Sequence, residues 1–240
     1  MPLPRIRHIY PLADQRTLDL RFLFPWLALW PAIATAQTGT IIDNRGVEIS
    51  TGKTFSQSEQ RQIMDRFAAC TVRRWKSGVV RYLASAPGSP EAEDMAKRLA
   101  SDECLASGQI EISEPLYRAA AYEVMYRINF GRKAVSDFSS VPPINYAQSG
   151  KASPSPDLTA QATLRRLADC AVRQAPVEAQ TLILSPIGGS EEAAAFSAIT
   201  PFMSSCMASD ATVTFSKLSL RGFVGEVLYR LSVAARHGHG

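Results

Sequence analysis

Blocks of similar sequence recur about one hundred residues apart, and this repeat constrains the fold more than any other feature. The block at 64–73 matches 164–173 at a shift of 100 residues, and the shift then grows to 101, 102 and 103. The later matches are 88–92 with 189–193, Cys104 with Cys206, and 118–128 with 221–231. A steady increase is what single-residue loop insertions leave in a duplicated unit. We therefore predict two tandem copies, at 57–130 and 158–236.

Each predicted copy contains two cysteines at similar spacing. In an exported chain, four cysteines indicate two disulfides, with three ways to pair them. Only pairing within a copy can be made by both copies independently, so we predict the disulfides Cys70–Cys104 and Cys170–Cys206. Closing a loop of about 35 residues should stabilise each copy by roughly 3–4 kcal/mol.

The amino terminus is organised like a secretion signal. Arginines precede an apolar run from Phe22 to Ile33, and small residues follow at 34–36. The run is shorter than the about 20 residues that a membrane span needs. We predict a signal peptide at 1–36 and a periplasmic or secreted mature chain without a stable membrane span.

The charge of the chain does not favour nucleic acid as a partner. The predicted signal peptide carries four arginines against two aspartates, so its removal lowers the net charge from +4 to +2. Lysine and arginine are scattered among nearly as many carboxylates, whereas nucleic-acid-binding proteins usually show a dense basic stripe.

The periodicity of apolar residues predicts an all-α fold, with about three helices and at most one short strand in each copy. The copies would then form two disulfide-linked helical units, and a pseudo-twofold axis between them is compatible with the pattern. The predicted first helices run from Gln57 to Trp75 and from Leu158 to Gln174, and the last ones start at Ser113 and Ser216 and end near Phe130 and Ala235. The middle helices begin at Ser89 and Ser190, whose side chains are expected to cap the first turn. The alternating stretches 110–113 and 213–216 are the candidate strands.

Three further segments flank the predicted copies: a polar lead-in at 37–56, a proline- and serine-rich linker at 131–157, and a tail at 237–240. Apolar residues in the linker indicate that part of it lies against a folded surface. They are Phe138, Val141 and Tyr146.

No catalytic constellation is apparent in the predicted mature chain. The stretch 46–54 resembles a phosphate-binding P-loop, but it has five residues between its glycines where that loop needs four. The only histidines after cleavage are His237 and His239 in the tail, where chain ends are usually frayed. Cysteines in disulfides are not nucleophiles. We predict that the protein is not an enzyme and holds no metal or cofactor.

The last helices of the two copies share a set of polar residues. Glu123 and Arg127 are four residues apart, as are Glu226 and Arg230, and would face each other on a helix. A polar site and ordinary helix ion pairs are both open, and we favour ion pairs. Across a twofold axis, the arginines and glutamates would pair between copies. The shared positions are Arg118, Glu123, Tyr126, Arg127, Arg221, Glu226, Tyr229 and Arg230.

Two arginines also flank the first cysteine of each copy, seven residues apart and so on one helix face. They are candidates for contact with an anionic group of a lipid or glycan, although exposed arginines more often serve as solubilising charge. The four residues are Arg66, Arg73, Arg166 and Arg173.

The motifs Cys-x-Val-Arg, Gly-Ser-x-Glu-Ala and Arg-x4-Glu-Val-x-Tyr-Arg resemble those of a family of secreted alphaproteobacterial proteins. The resemblance covers most of residues 57–236, both copies included. It implies a helical fold and an envelope location, and it carries no assigned activity.

Two functions are compatible with these features. We predict a non-enzymatic interaction or scaffold protein whose partner is an envelope protein. The alternative is a periplasmic protein that binds a small molecule or lipid in an apolar cavity between the copies, lined by Trp75, Tyr122, Phe223 and Tyr229.

Overall fold

The structure is a computed structural model, and it describes residues 41–42, 56–100, 102–104, 114–135, 137–146, 156–207 and 214–238. The predicted signal peptide, the P-loop-like stretch and His239 lie outside the described residues. Within the described ranges the chain forms seven α-helices: α1 Gln57–Ala84, α2 Pro90–Leu99, α3 Glu114–Phe130, α4 Pro156–Gln174, α5 Pro176–Leu184, α6 Ser190–Ser205 and α7 Lys217–Gly238. The predicted all-α fold is confirmed.

Two short strands accompany the helices. Ile41–Ile42 (β1) and Thr214–Phe215 (β2) pair in parallel. The sequence predicted a strand near β2, but its partner belongs to the predicted polar lead-in. The other candidate strand, at 110–113, lies outside the described residues.

Helix α1 is longer than predicted, because it continues past Trp75 to Ala84. Trp75 nevertheless has non-helical backbone angles (φ −135°, ψ 47°), which mark a kink. Ala175, one hundred residues later, has nearly the same angles (φ −134°, ψ 61°), and α5 begins at the following Pro176. Proline lacks the N–H that a continuous helix requires, so the second half forms two separate helices here.

The helix starts show how the two halves differ locally. Ser89 accepts a hydrogen bond from the Ala92 N–H (3.1 Å), as predicted, and caps α2. The predicted cap at Ser190 is wrong: Gly189 precedes α6 and Ser190 is its first helical residue. The Glu192 carboxylate reaches back to the Gly188 N–H (2.9 Å) and satisfies that donor instead.

Both predicted disulfides are present. Cys70 on α1 bonds to Cys104 in the 3-10 turn Asp102–Cys104, with 5.6 Å between the Cα atoms. Cys170 on α4 bonds to Cys206, which follows α6 directly, with a Cα separation of 6.0 Å. The first bond therefore joins α1 to the turn that follows α2, and the second joins α4 to the end of α6.

Helices α3 and α7 pack against each other at the centre of the fold, and α1 and α4 pack on their other sides. A Cβ atom built on Gly222 of α7 would lie 2.6 Å from the Ala119 Cβ of α3, so the helices approach most closely where α7 has no side chain. Ala119 and Gly222 are matched positions of the predicted repeat. A pseudo-twofold axis through the crossing would bring such a pair together.

The start of the predicted linker belongs to the core of the second half. Phe138, Val141 and Tyr146 are all buried with residues of α4 to α7. Arg173 on α4 holds this segment by donating to the carbonyl oxygens of Phe138 and Val141, each at 2.7 Å, and of Pro142 (3.1 Å).

Candidate functional site

Two matched arginines lie on the central helices, Arg118 on α3 and Arg221 on α7, and both are buried. The last carbonyl groups of an α-helix have no partner within it, and arginine side chains can supply one. Arg118 does this at the carboxyl end of α1, and Arg221 does it at the carboxyl end of α5. Arg118 donates to the carbonyls of Leu83 (3.3 Å) and Ser85 (3.1 Å), and Arg221 to those of Ile183 (3.1 Å) and Ser185 (3.0 Å).

Arg221 also pairs with two buried carboxylates. Its Nε donates to Glu123 of α3 (2.8 Å) and its Nη1 to Glu192 of α6 (2.6 Å). Arg61 of α1 donates to Glu192 as well. The Arg221 side chain is only 1% exposed. These contacts supply it with opposite charges and hydrogen-bond acceptors, as a buried ion requires. The contact with Glu123 is one of the pairs predicted between the last helices.

The environment of Glu192 lowers the pKa of its carboxyl group. Burial alone would raise that pKa, but hydrogen bonds from Arg61 and Gly188, with the charges of Arg61 and Arg221, bring it below its ordinary value of 4.5. The carboxylate therefore stabilises the folded chain above that value, and this contribution is lost as the pH falls through the lower folded pKa.

We expect Glu192→Gln to lower the free energy of unfolding by about 1.5–3 kcal/mol near neutral pH, as is typical of hydrogen bonds to charged groups. The difference from wild type should shrink as the pH falls from 4.5 through the lower folded pKa, because Glu192 is protonated first in the unfolded chain and then in the folded one. Thermal unfolding between about pH 7 and pH 2 measures this.

Glu91→Gln is the matched control, because Glu91 corresponds to Glu192 in the sequence repeat but is exposed. Its unfolding curves should follow those of wild type at every pH. A constant difference between Glu192→Gln and wild type across the pH range would contradict the role given to Glu192.

Arg118 has fewer partners than Arg221. Its Nε donates to Glu114, one turn earlier on α3 (2.7 Å). Its Nη2 is buried without a hydrogen-bond partner among the described residues. The predicted pairing of Arg118 with Glu226 is wrong, because Glu226 accepts from Arg165 of α4 (2.7 Å) and Arg230 (3.3 Å) instead.

Charge differences between the halves explain this asymmetry. Asp65 of α1 pairs with Arg127, whereas Arg165 stands at the matched position of α4 and pairs with Glu226. Glu114 at the start of α3 likewise has a lysine, Lys217, as its counterpart on α7. At both positions the first half has an acid and the second half has a base. Arg118 and Arg221 therefore have different charged neighbours.

The position that holds Glu192 in the second half holds alanine in the first. Helix α6 begins at Ser190, so Glu192 is its third residue. Helix α2 begins at Pro90, so Ala92 is its third residue. Glu91, which the sequence match aligned with Glu192, falls one residue earlier. One residue corresponds to about 100° of helix rotation, and Glu91 is accordingly exposed.

A cleft opens beside Arg118. It consists of two cavities of about 670 Å³ and about 230 Å³ whose walls share Pro87, Arg118, Arg165 and Glu226. The larger cavity also has three tyrosines in its wall, and the smaller one is bounded largely by apolar side chains. The tyrosines are Tyr122, Tyr146 and Tyr229, and the apolar residues include Pro115, Leu116, Leu164, Leu218 and Phe223.

The matched region near α1 is closed. A cavity of only about 10 Å³ remains there, lined by residues that include Arg61, Met64, Asp65 and Ile187. Arg61 and its partner Glu192 are both buried in this half, whereas the residue matched to Arg61 is Gln161 in the wall of the 230 Å³ cavity.

Tyr122 contributes a neutral hydroxyl to the cleft. Burial raises the pKa of Tyr122 to about 12, so the group is protonated at neutral pH. Its hydroxyl donates to the Leu83 carbonyl (2.9 Å), the same oxygen that accepts from Arg118. Tyr122, Tyr229 and Phe223 thus line the cleft as predicted, while Trp75 lies in the wall of neither cavity.

The ion pairs predicted along the last helices are formed. Arg127 lies 3.8 Å from Glu123, and Arg230 lies 3.3 Å from Glu226. Both glutamates are buried, and the two arginines are partly exposed. Tyr126 is buried in the core of the second half, and its hydroxyl accepts a hydrogen bond from Gln180 (2.9 Å).

The predicted arginine surface is only partly available. Arg66, Arg73 and Arg166 are exposed, whereas Arg173 is held by the backbone of the 138–142 segment. The residues that sequence reasoning missed are Arg61, Glu114, Arg165 and Glu192. Unequal charges at matched positions were a signal for Arg61, Glu114 and Arg165, whereas Glu192 is matched in the sequence by another glutamate, Glu91.

The described residues contain neither a candidate metal site nor a candidate membrane span. No group of three or more histidine, cysteine, aspartate or glutamate side chains there could hold a metal ion. None of the helices described is long and apolar enough to span a membrane. Comparison of the whole chain with protein family models, with curated proteins and with solved structures finds no match in any of the three.

Proposed function

We propose that this protein is an exported binding protein that holds a small molecule in the cleft beside Arg118. The observation that carries the proposal is the pair of adjoining cavities, of about 670 Å³ and 230 Å³. Small-molecule sites are typically concave, have largely apolar and aromatic walls, and include a few polar groups that converge on one point. Tyrosine and phenylalanine rings here surround a small group of charged side chains.

Export is supported by two features. Residues 1–36 have the composition of a signal peptide, and both disulfides suit an oxidising compartment such as the periplasm or the exterior. The resemblance to secreted alphaproteobacterial proteins agrees with this location and is part of the proposal. The scaffold role and the absence of catalysis both stay predictions.

A duplicated unit is also part of the proposal. The matched arginines donate to matched carbonyls, and the matched residues Ala119 and Gly222 meet at the helix crossing. The cleft beside Arg118 is then a departure from the ancestral symmetry, since the described residues of the matched region leave a cavity of only about 10 Å³.

The test uses N-phenyl-1-naphthylamine, an uncharged apolar probe whose fluorescence rises in apolar surroundings. Wild-type protein purified from the periplasm should bind it saturably. Val80→Trp should weaken binding at least tenfold, because the exposed Val80 lies in the wall of the larger cavity. Val177→Trp, at an exposed position on α5 outside both cavity walls, is the control and should bind like wild type.

Absence of saturable probe binding, or equal effects of the two tryptophan variants, would contradict the proposed function. Thermal unfolding of each variant shows that the fold is retained.

A further inference from the structure

We propose that the cleft binds the carboxylate of a small organic acid that carries an apolar body, with the unpartnered Nη2 of Arg118 as its donor. This inference rests on the proposed function and names the ligand class. The first ground is the difference between two matched arginines. Arg221 pairs with Glu123 and Glu192, whereas Arg118 pairs with Glu114 alone.

The second ground is the burial of the free donor. Arg118 is only 3% exposed, and its Nη2 has no hydrogen-bond partner among the described residues. A buried donor without a partner is unfavourable, and a buried guanidinium group normally uses most of its five N–H groups. Arg118 lies in the wall of both cavities, and because its Nη2 is closed off from solvent, an acceptor there would reach this nitrogen after a shift of the side chain.

The third ground is the charge of the larger cavity. Three arginines and two glutamates lie in its wall. Arg165 and Arg230 both pair with Glu226, and the other acid, Glu91, is exposed to solvent. Glu114, which lines the smaller cavity, pairs with Arg118, so the two walls together hold three arginines and three glutamates. Without the exposed Glu91, the buried part of the cleft has one positive charge in excess, and an anion is favoured there.

The second half of the chain shows which anion suits such an arginine. The carboxylate of Glu192 accepts from Arg221 Nη1 at 2.6 Å and from the Gly188 N–H at 2.9 Å. The first half has Ala92 at the corresponding helix position and so provides no carboxylate there. A carboxylate from a ligand would give Arg118 the second acid that Arg221 has.

The smaller cavity accounts for the apolar body. It begins at the same Arg118 and continues along Pro115, Leu164 and Phe223. A carboxylate at Arg118 would leave the rest of the ligand against these side chains. A free carboxylate without an apolar group would bury little surface and bind weakly.

Decanoate and decanol are the probes, because they differ in the carboxylate and share the apolar chain. Each is titrated into the full-length mature protein by isothermal titration calorimetry. Wild type should bind decanoate at least tenfold more tightly than decanol, the preference expected from charge-assisted hydrogen bonds. Arg118→Gln should remove this preference and leave decanol binding within about twofold of wild type.

A second pair of variants keeps Arg118 in place. Ala86 lies in the wall of the larger cavity, next to the Ser85 carbonyl that accepts from Arg118. Ala86→Glu introduces a competing carboxylate and should remove the preference for decanoate, while Ala86→Gln has the same size and should keep it. This pair decides the question even if Arg118→Gln fails to fold.

Equal affinity for decanoate and decanol, failure of both to bind, or a preference that survives Arg118→Gln or Ala86→Glu would overturn the inference. The proposed function has a separate readout. Binding of the uncharged naphthylamine that Val80→Trp weakens, without any preference for decanoate, would retain the cleft as a binding site and reject Arg118 as its anchor.

Discussion

Arg221→Met is expected to lower the free energy of unfolding by about 3–5 kcal/mol, the range found when one partner of a buried ion network is removed. Methionine approximates the length of arginine but leaves Glu123 and Glu192 without this cation. The carbonyls of Ile183 and Ser185 also lose a donor. Chemical denaturation at neutral pH measures the change.

Arg66→Met is the control for this substitution, because Arg66 is an exposed arginine on α1. Its effect should stay within about 0.5 kcal/mol. Adding Glu192→Gln to Arg221→Met should cost less than the sum of the two single changes, since the second change removes a charge that the first left with fewer partners. Additive effects would show that Arg221 and Glu192 do not act together.

Replacement of either disulfide by two alanines is expected to lower the free energy of unfolding by about 3–4 kcal/mol, as the chain-entropy relation gives for loops of this size. The two losses should be similar, because the linked cysteines are 34 and 36 residues apart. Denaturation of Cys70→Ala/Cys104→Ala and of Cys170→Ala/Cys206→Ala measures them.

Peptide mapping is the control for the disulfide variants, since it must find the remaining bond intact in each. A reducing agent should destabilise wild type more than either variant. Unchanged stability after removal of one bond, or a bond between the two halves in wild type, would contradict the pairing and the independence of the two linked units.

Local features of the fold could be predicted because they depend on residues that are close in sequence. Helix periodicity, the serine before Pro90 and the spacing of the cysteines each act within a few turns or within one copy. The break in the helix at Ala175 could also be predicted, because Pro176 follows it, whereas no proline follows Trp75. The prediction that Ser190 caps α6 failed, because Gly189 precedes this helix and no side chain caps it.

The buried ion network could be predicted only in part. The pairing of Arg221 with Glu123 followed from the assumption of a twofold axis between the last helices. The same assumption was wrong for Arg118 and Glu226, because the charges of Asp65 and Arg165 are exchanged between the halves. Similarity between the two halves of the sequence does not specify with which of several nearby charged side chains an arginine or glutamate forms an ion pair.

The sequence by itself determined the helical class, the approximate position of the main helices and the pairing of the four cysteines. Only the tertiary structure decided that Arg61 and Glu192, which are 131 residues apart, fill one side of the central helix pair while a cleft remains on the other. The physical reason is that burial and charge pairing depend on distances in space. A one-residue offset, which places Ala92 where the second half has Glu192, is enough to turn a carboxylate from the core to solvent.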